Sequence, residues 1–91
     1  MIYVGDIGVE IVYDCLEDIS AATVLIFNYR KPGGATGSWA AVLDGVRSLK
    51  FTTAAVTDLD RAGLWRAQPY IEIPGFAGLA DAKMFRVAPP V

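Results

Sequence analysis

Apolar and polar residues alternate with a period of two over most of this chain, and turn-forming residues interrupt the alternation about every ten positions, the rhythm of an antiparallel sandwich or barrel. Val9, Ile11 and Tyr13 alternate with Glu10, Val12 and Asp14 and predict the first firm strand, with a short one before it at Ile2 to Val4. The most β-prone segment runs from Thr23 to Arg30, with Leu25, Phe27 and Tyr29 on one face. Lys31-Pro32-Gly33-Gly34 ends it in a tight turn, because proline presets φ and glycine accepts positive φ. The next strand is expected to begin at Trp39 and to carry Trp39, Ala41 and Leu43 on one side. Asp44-Gly45 then turns the chain back through Val46 to Thr52, with Leu49 and Phe51 inward. After the polar corner at Asp58-Leu59-Asp60, Trp65, Ala67, Ile71 and Ile73 share one face of a long strand and Leu64, Arg66, Gln68, Tyr70 and Glu72 the other. Pro69 inside that strand predicts an edge position or a bulge. A Pro74-Gly75 turn, a loop from Phe76 to Gly78, a last strand from Ala82 to Val87 with Phe85 and Val87 inward, and Pro89-Pro90 complete the fold. Glu17 to Ala22 and Thr53 to Ala62 admit a helical turn, but neither repeats with the 3.6-residue period that a packed helix needs.

This parity divides the side chains into two sets. Phe27, Trp39, Phe51, Trp65 and Phe85 are the expected core anchors. Val24, Ile26 and Val42 then face outward, on strands expected to adjoin, with Val12 and Met84 as weaker additions. Such an apolar patch is a candidate contact surface, with Arg30, Lys31, Asp44 and Lys50 as its polar rim.

Composition sharpens that expectation. The chain has 91 residues, enough for one domain spanning 1–91, yet 54% of them are hydrophobic, more than a sandwich this small readily hides. Part of that apolar surface is expected to meet another subunit. The net charge is −2 and the basic residues are scattered, so no stripe follows a phosphate backbone and nucleic acid is not an expected partner. With no histidine and one cysteine, Cys15, the chain lacks an internal disulfide, a Cys/His zinc site and an imidazole-activated nucleophile. No signal peptide is expected from the opening Met1-Ile2-Tyr3-Val4-Gly5-Asp6, and no apolar run is long enough for a membrane span, so the chain is expected to be made, and to stay reduced, in a cytoplasm.

Candidate chemistry is sparse. Gly33 to Ser38 is glycine-rich, but it joins two strands and lacks the Lys-Ser/Thr and helix of a phosphate loop, so a hairpin loop is expected. Asp58 and Asp60, with Asp14, Glu17 and Asp18 elsewhere, offer too few oxygens for a calcium ion and are expected to cap turns. Nothing places two carboxylates across a cleft for work on a sugar. Cys15 has no activating base and is expected to be an inert thiol. Trp39 and Trp65 could stack on sugar rings, but their parity favours the core. An enzyme is not expected, nor a metal or cofactor.

The order of the parts is familiar. Tyr3-Val4-Gly5-Asp6, Asp18-Ile19-Ser20 before a strand, Lys31-Pro32-Gly33 followed by Trp39, Asp44-Gly45 leading to Leu49-Lys50-Phe51-Thr52, and Asp58-Leu59-Asp60 with Ala62-Gly63 and Trp65 follow one another. In that order they resemble the immunoglobulin-like domain of phage tail and baseplate proteins, in particular the amino-terminal domain of the baseplate upper protein, over nearly the whole chain. The resemblance implies an all-β, immunoglobulin-like antiparallel β-sandwich of about seven strands. It also implies a phage or prophage virion role, with virion or tail proteins or copies of the chain itself as partners and no catalytic residues. Baseplate proteins of that kind continue into longer trimerising and receptor-facing regions, whereas this chain stops at Val91, and a stand-alone assembly or accessory module is the expectation. The competing expectation is a glycan-binding accessory module using Tyr70, Phe76 or a tryptophan.

Overall fold

The computed structural model describes residues 2–89, so Met1 and the expected close at Pro90 and Val91 lie outside the described residues. Among the described residues the chain forms strands and turns without a helix. In chain order the strands are β1 (Ile2–Tyr3), β2 (Glu10–Asp14), β3 (Val24–Arg30), β4 (Thr36–Ala40), β5 (Val42–Asp44), β6 (Ser48–Thr52), β7 (Gly63–Ile73), β8 (Phe76–Leu79) and β9 (Lys83–Ala88). One sheet runs β1-β9-β7-β3-β4, with β8 also paired to β7, and the other runs β2-β6-β5. With β1 as strand A, β2 as B, β3 as C, β4 as C′, β5 as D, β6 as E, β7 as F and β9 as G, the two sheets are A-G-F-C-C′ and B-E-D. The B-E-D and G-F-C-C′ pairings are those of an immunoglobulin-like sandwich, while strand A lies beside G rather than B and β8 is an addition to the sheet. The first sheet is mixed rather than purely antiparallel, because β1 lies parallel to β9, with Ile2 beside Val87 and Tyr3 beside Ala88.

The strand count exceeds the expected seven for local reasons. Trp39, Ala41 and Leu43 do not share one strand: β4 ends at Ala40, Ala41 donates its N–H to the Leu25 carbonyl, and Val42 begins β5 in the other sheet. Thr36, Gly37 and Ser38 belong to β4 rather than to a loop. Gly37 stands opposite Tyr29, whose ring occupies the space where a Cβ would sit, so the aromatic covers the glycine and the pairing survives. Phe76 to Gly78 forms most of β8, folded back on the end of β7 by the Pro74-Gly75 turn, with Gly75 at φ 86°. Val46 and Arg47 fall in the turn before β6. The segments 17–22 and 53–62 are turns and bends, not helix.

Pro69 is buried in the middle of β7, between β3 and the β8/β9 side, which corrects the expectation of an edge strand; the register steps from Ala67 beside Lys83 to Tyr70 beside Leu79, so one extra residue bulges on the β8/β9 side opposite Pro69. Its carbonyl accepts the Ala80 N–H at 2.9 Å, so its backbone polar groups face the β8/β9 side. Partners on β9 end at Ala67 and partners on β8 begin at Tyr70. The nitrogen without a hydrogen falls in the gap between them, where no ladder bond is missed.

Between the sheets Phe27, Leu49, Leu59, Trp65, Ala67 and Val87 are fully buried, with Ile11, Ile19, Trp39 and Ile71 nearly so. Phe51 and Phe85 are half-buried and packed against them. No disulfide joins the sheets; aromatic rings do. Phe51 on β6 stacks on Trp39 of β4 at 4.7 Å between centroids, Trp39 on Trp65 at 5.9 Å, and Trp65 on Phe85 at 6.1 Å. Each such pair contributes about 0.5–1.5 kcal/mol beyond the area it buries. The Trp65 indole N–H is satisfied by the Arg61 carbonyl at 2.8 Å. Ile19 and Leu59 come from loops and close the interior from outside the strands. Leu43 has the inward parity but sits on edge strand β5, where it remains 38% exposed.

Candidate interaction surface

The strand registers define the outer face of the larger sheet as a grid. Across β4, β3, β7 and β9, one row reads Thr36, Arg30, Arg66, Met84. Beside it lie Ser38, Asn28 and Gln68, and beyond them Ala40, Ile26, Tyr70 and, on β8, Leu79. Val24, Glu72 and Ala77 form the row at one end, and Leu64 with Arg86 the row at the other. Among the described residues, no further strand is layered over this face.

Arg30 and Arg66 are directly opposed on neighbouring strands, and Arg86 stands diagonally across from Arg66. Like charges in that position destabilise a sheet. Among the described residues the ion pairs are Lys31–Asp60 at 2.9 Å, Arg47–Asp14 at 3.2 Å and Lys50–Glu10 at 3.0 Å, and none involves these arginines. A shallow depression of about 390 Å³ opens here, lined chiefly by Asn28, Arg30, Thr36, Ser38 and Arg66. Guanidinium groups bind carboxylates through two parallel N–H bonds, and the adjacent hydroxyls and amide add further hydrogen-bonding groups. Leu64 and Met84, each about half exposed, occupy the alternate squares of the β7/β9 part of the grid and supply apolar area beside the charge.

At the opposite end of the sandwich β2 ends on Asp14 and the β2–β3 loop carries Glu17 and Asp18. Its tip is Leu16, 74% exposed and at φ 62°, in the left-handed region that costs a residue with a Cβ about 1–2 kcal/mol. The Asp14 carboxylate fixes that shape by accepting the Leu16 N–H at 2.8 Å. Cys15 and Ile19 donate their N–H groups to the Arg47 and Val46 carbonyls, which ties the loop to the β5–β6 turn. Asp18 accepts both the N–H and the hydroxyl of Ser20, and these hydrogen bonds hold its carboxyl below the usual carboxylate range.

A second concavity of about 330 Å³ lies where β8 extends the larger sheet past the smaller one, among Tyr13, Cys15, Ile19, Ile71, Ile73 and Phe76. Burial pushes the Cys15 thiol up, and the charges of Asp14 and Glu17 push it the same way, so it is held as a neutral thiol rather than a nucleophile. The loop carboxylates at the other end are occupied locally: Asp58 accepts the N–H groups of Ala54 and Ala55, and Asp60 pairs with Lys31.

The residues expected to form one contact patch are divided by the fold. Val24 and Ile26 lie on the outer face of the larger sheet, each half-buried between cross-strand neighbours, Glu72 for Val24 and Ala40 with Tyr70 for Ile26. Val42 is exposed on β5 of the smaller sheet, which is not adjacent to β3, so the expected continuous Val24–Ile26–Val42 patch does not form. Arg30 belongs to the arginine cluster, whereas Lys50 lies on the smaller sheet between Val12 and Val42 and is paired with Glu10, which raises its pKa. Arg66 was legible as an outward position, but it and Arg86 acquire meaning only from register. Comparison with family models, curated proteins and solved structures returned no match.

Proposed function

We propose that the protein is a structural assembly module of a phage or prophage virion, of the tail or baseplate type, which works by protein–protein contact rather than catalysis. The observation that carries a contact role is the uncovered outer face of the larger sheet, where Arg30 and Arg66 oppose each other without a carboxylate beside half-exposed Leu64 and Met84. A sheet keeps such a destabilising pair at little cost when a partner supplies the counter-charge. The virion assignment rests on the ordered motifs from Tyr3 to Trp65 and their resemblance to tail and baseplate domains. Its place of work under this reading is the virion, after synthesis in a bacterial cytoplasm. The competing glycan-binding reading draws no support from the tryptophans, since Trp65 is fully buried and Trp39 is 6% exposed.

Pairwise binding to the products of the flanking genes, with glycan titration alongside, tests the proposal. Binding to a tail or baseplate protein that is lost in a Leu64→Glu/Met84→Glu variant is the expected result. Saturable sugar binding by a monomer that contacts none of those proteins would overturn it.

A further inference from the structure

Charge is sorted along the 46 Å length of the molecule. Asp14, Glu17, Asp18, Asp44 and Glu72 gather at the end where β2 stops and β3 begins, with Arg47 as their cation. Arg30, Lys31, Arg61, Arg66 and Arg86 gather toward the other end. The carboxylates there are Asp6, Glu10, Asp58 and Asp60, and each is engaged locally, by the Tyr3 N–H, by Lys50, by the Ala54 and Ala55 N–H groups and by Lys31. The two ends of one copy are separated by the length of the sandwich.

We infer that copies of this chain associate head to tail, with the acidic Leu16 loop of one seated on the arginine face of the next, an inference that rests on the contact role proposed above. Shape and charge match at both levels. The loop presents an apolar tip, Leu16, flanked by Asp14, Glu17 and Asp18. The face presents an apolar spot, Leu64 and Met84, interleaved with Arg66 and Arg86 and bordered by Arg30. The loop is preorganised by the Asp14–Leu16 hydrogen bond and its ties to Val46 and Arg47, so little ordering is needed on contact. An exposed leucine held at positive φ is a local strain whose use lies outside the isolated chain. A two-fold contact that seated each loop on the other copy's arginine face would stop at a dimer, which the species formed in solution distinguish from head-to-tail association. A heterologous contact satisfies both poles, and its repetition closes a ring or extends a filament.

The test is sedimentation velocity with light scattering at low and high salt, on the parent, on Arg30→Gln/Arg66→Gln, on Glu17→Gln/Asp18→Asn, and on an equimolar mixture of the two variants. The parent should form species larger than a dimer that dissociate with salt, as exposed charge pairs are screened. Each double variant should lose those species. The mixture should stop at twice the 9.8 kDa monomer mass, because only one contact in each pair is intact. A parent that stays monomeric up to its solubility limit, association that survives in both variants, or a mixture without the dimer would each overturn the inference. A monomer that still binds a flanking-gene product would sink this contact and leave the assembly role standing.

Discussion

Along the 11 residues of β7 the two faces of one strand obey different rules. The inner side chains Trp65, Ala67, Pro69 and Ile71 are buried, and the one polar atom among them, the indole nitrogen, has its partner in the Arg61 carbonyl. The outer side chains begin with Leu64 half exposed and continue through Arg66, which faces Arg30 across the ladder. The inner face is complete within the chain, whereas the outer face leaves Arg66 opposite Arg30 without an ion pair among the described residues and Leu64 half exposed. A core side chain is therefore expected to act on folding and an outer one on association, and substitutions separate the two.

Trp65→Ala removes the ring at the centre of the aromatic stack and leaves a cavity, and should destabilise the fold by about 3–5 kcal/mol in denaturant unfolding. A loss under about 0.5 kcal/mol, the size of an ordinary surface effect, would break the comparison at its strongest point. Thr53 is the buried polar residue of the interior; its hydroxyl accepts the Val9 N–H at 3.0 Å and donates to the Asp6 carbonyl at 3.1 Å. Thr53→Val keeps the shape and strands both groups, so about 1–3 kcal/mol should be lost in the same measurement. On the outer face the sign reverses. Arg66→Glu turns a like-charge pair into an opposite one and should raise monomer stability by about 0.2–1 kcal/mol while abolishing association. A destabilised variant would mean that the two guanidiniums do not repel in the free chain.

Acid has a smaller effect. Hydrogen bonding to Lys31 holds the Asp60 carboxyl below its usual range, and Ser20 does the same for Asp18. Their stabilisation is full above the ordinary carboxylate value of about 3.9 and is lost as the pH falls through the lowered folded values. Denaturation midpoints measured down a pH series should fall there, and Asp60→Asn should flatten part of that fall. The contribution is small because both carboxylates are largely in solvent. Least visible in stability is Cys15, whose raised pKa predicts alkylation at neutral pH slower than that of an unhindered free thiol.

Within the strands the sequence was readable because a strand's side chains repeat every two residues, and the inward series from Leu25 through Phe51 to Val87 holds its parity even across the change of sheet at Ala41. The readings that missed depended on neighbours. Pro69 looked like an edge residue because a single strand does not reveal that its two partners on one side end and begin around it. Gly37 looked like a loop residue because its cover, Tyr29, comes from the next strand. Leu59 and Ile19 carry no strand parity, so their burial was hidden in segments that read as polar turns. The contact surface was misread for the same reason: Val24, Ile26 and Val42 share parity, but parity does not say which sheet a strand joins.

By itself the sequence determined an all-β chain, the positions of most strands, the anchors Phe27, Trp39 and Trp65, and the lack of histidine-based chemistry. All of these follow from local periodicity and residue type. Only the tertiary structure decided that Ala41 separates the sheets, that Arg30 faces Arg66, and that the loop carboxylates Asp14, Glu17 and Asp18 lie at the end away from Arg30, Arg66 and Arg86. Those are relations between residues far apart in the chain, and the energy that sets them, interstrand pairing and the burial of a shared interior, exists only once the strands have met.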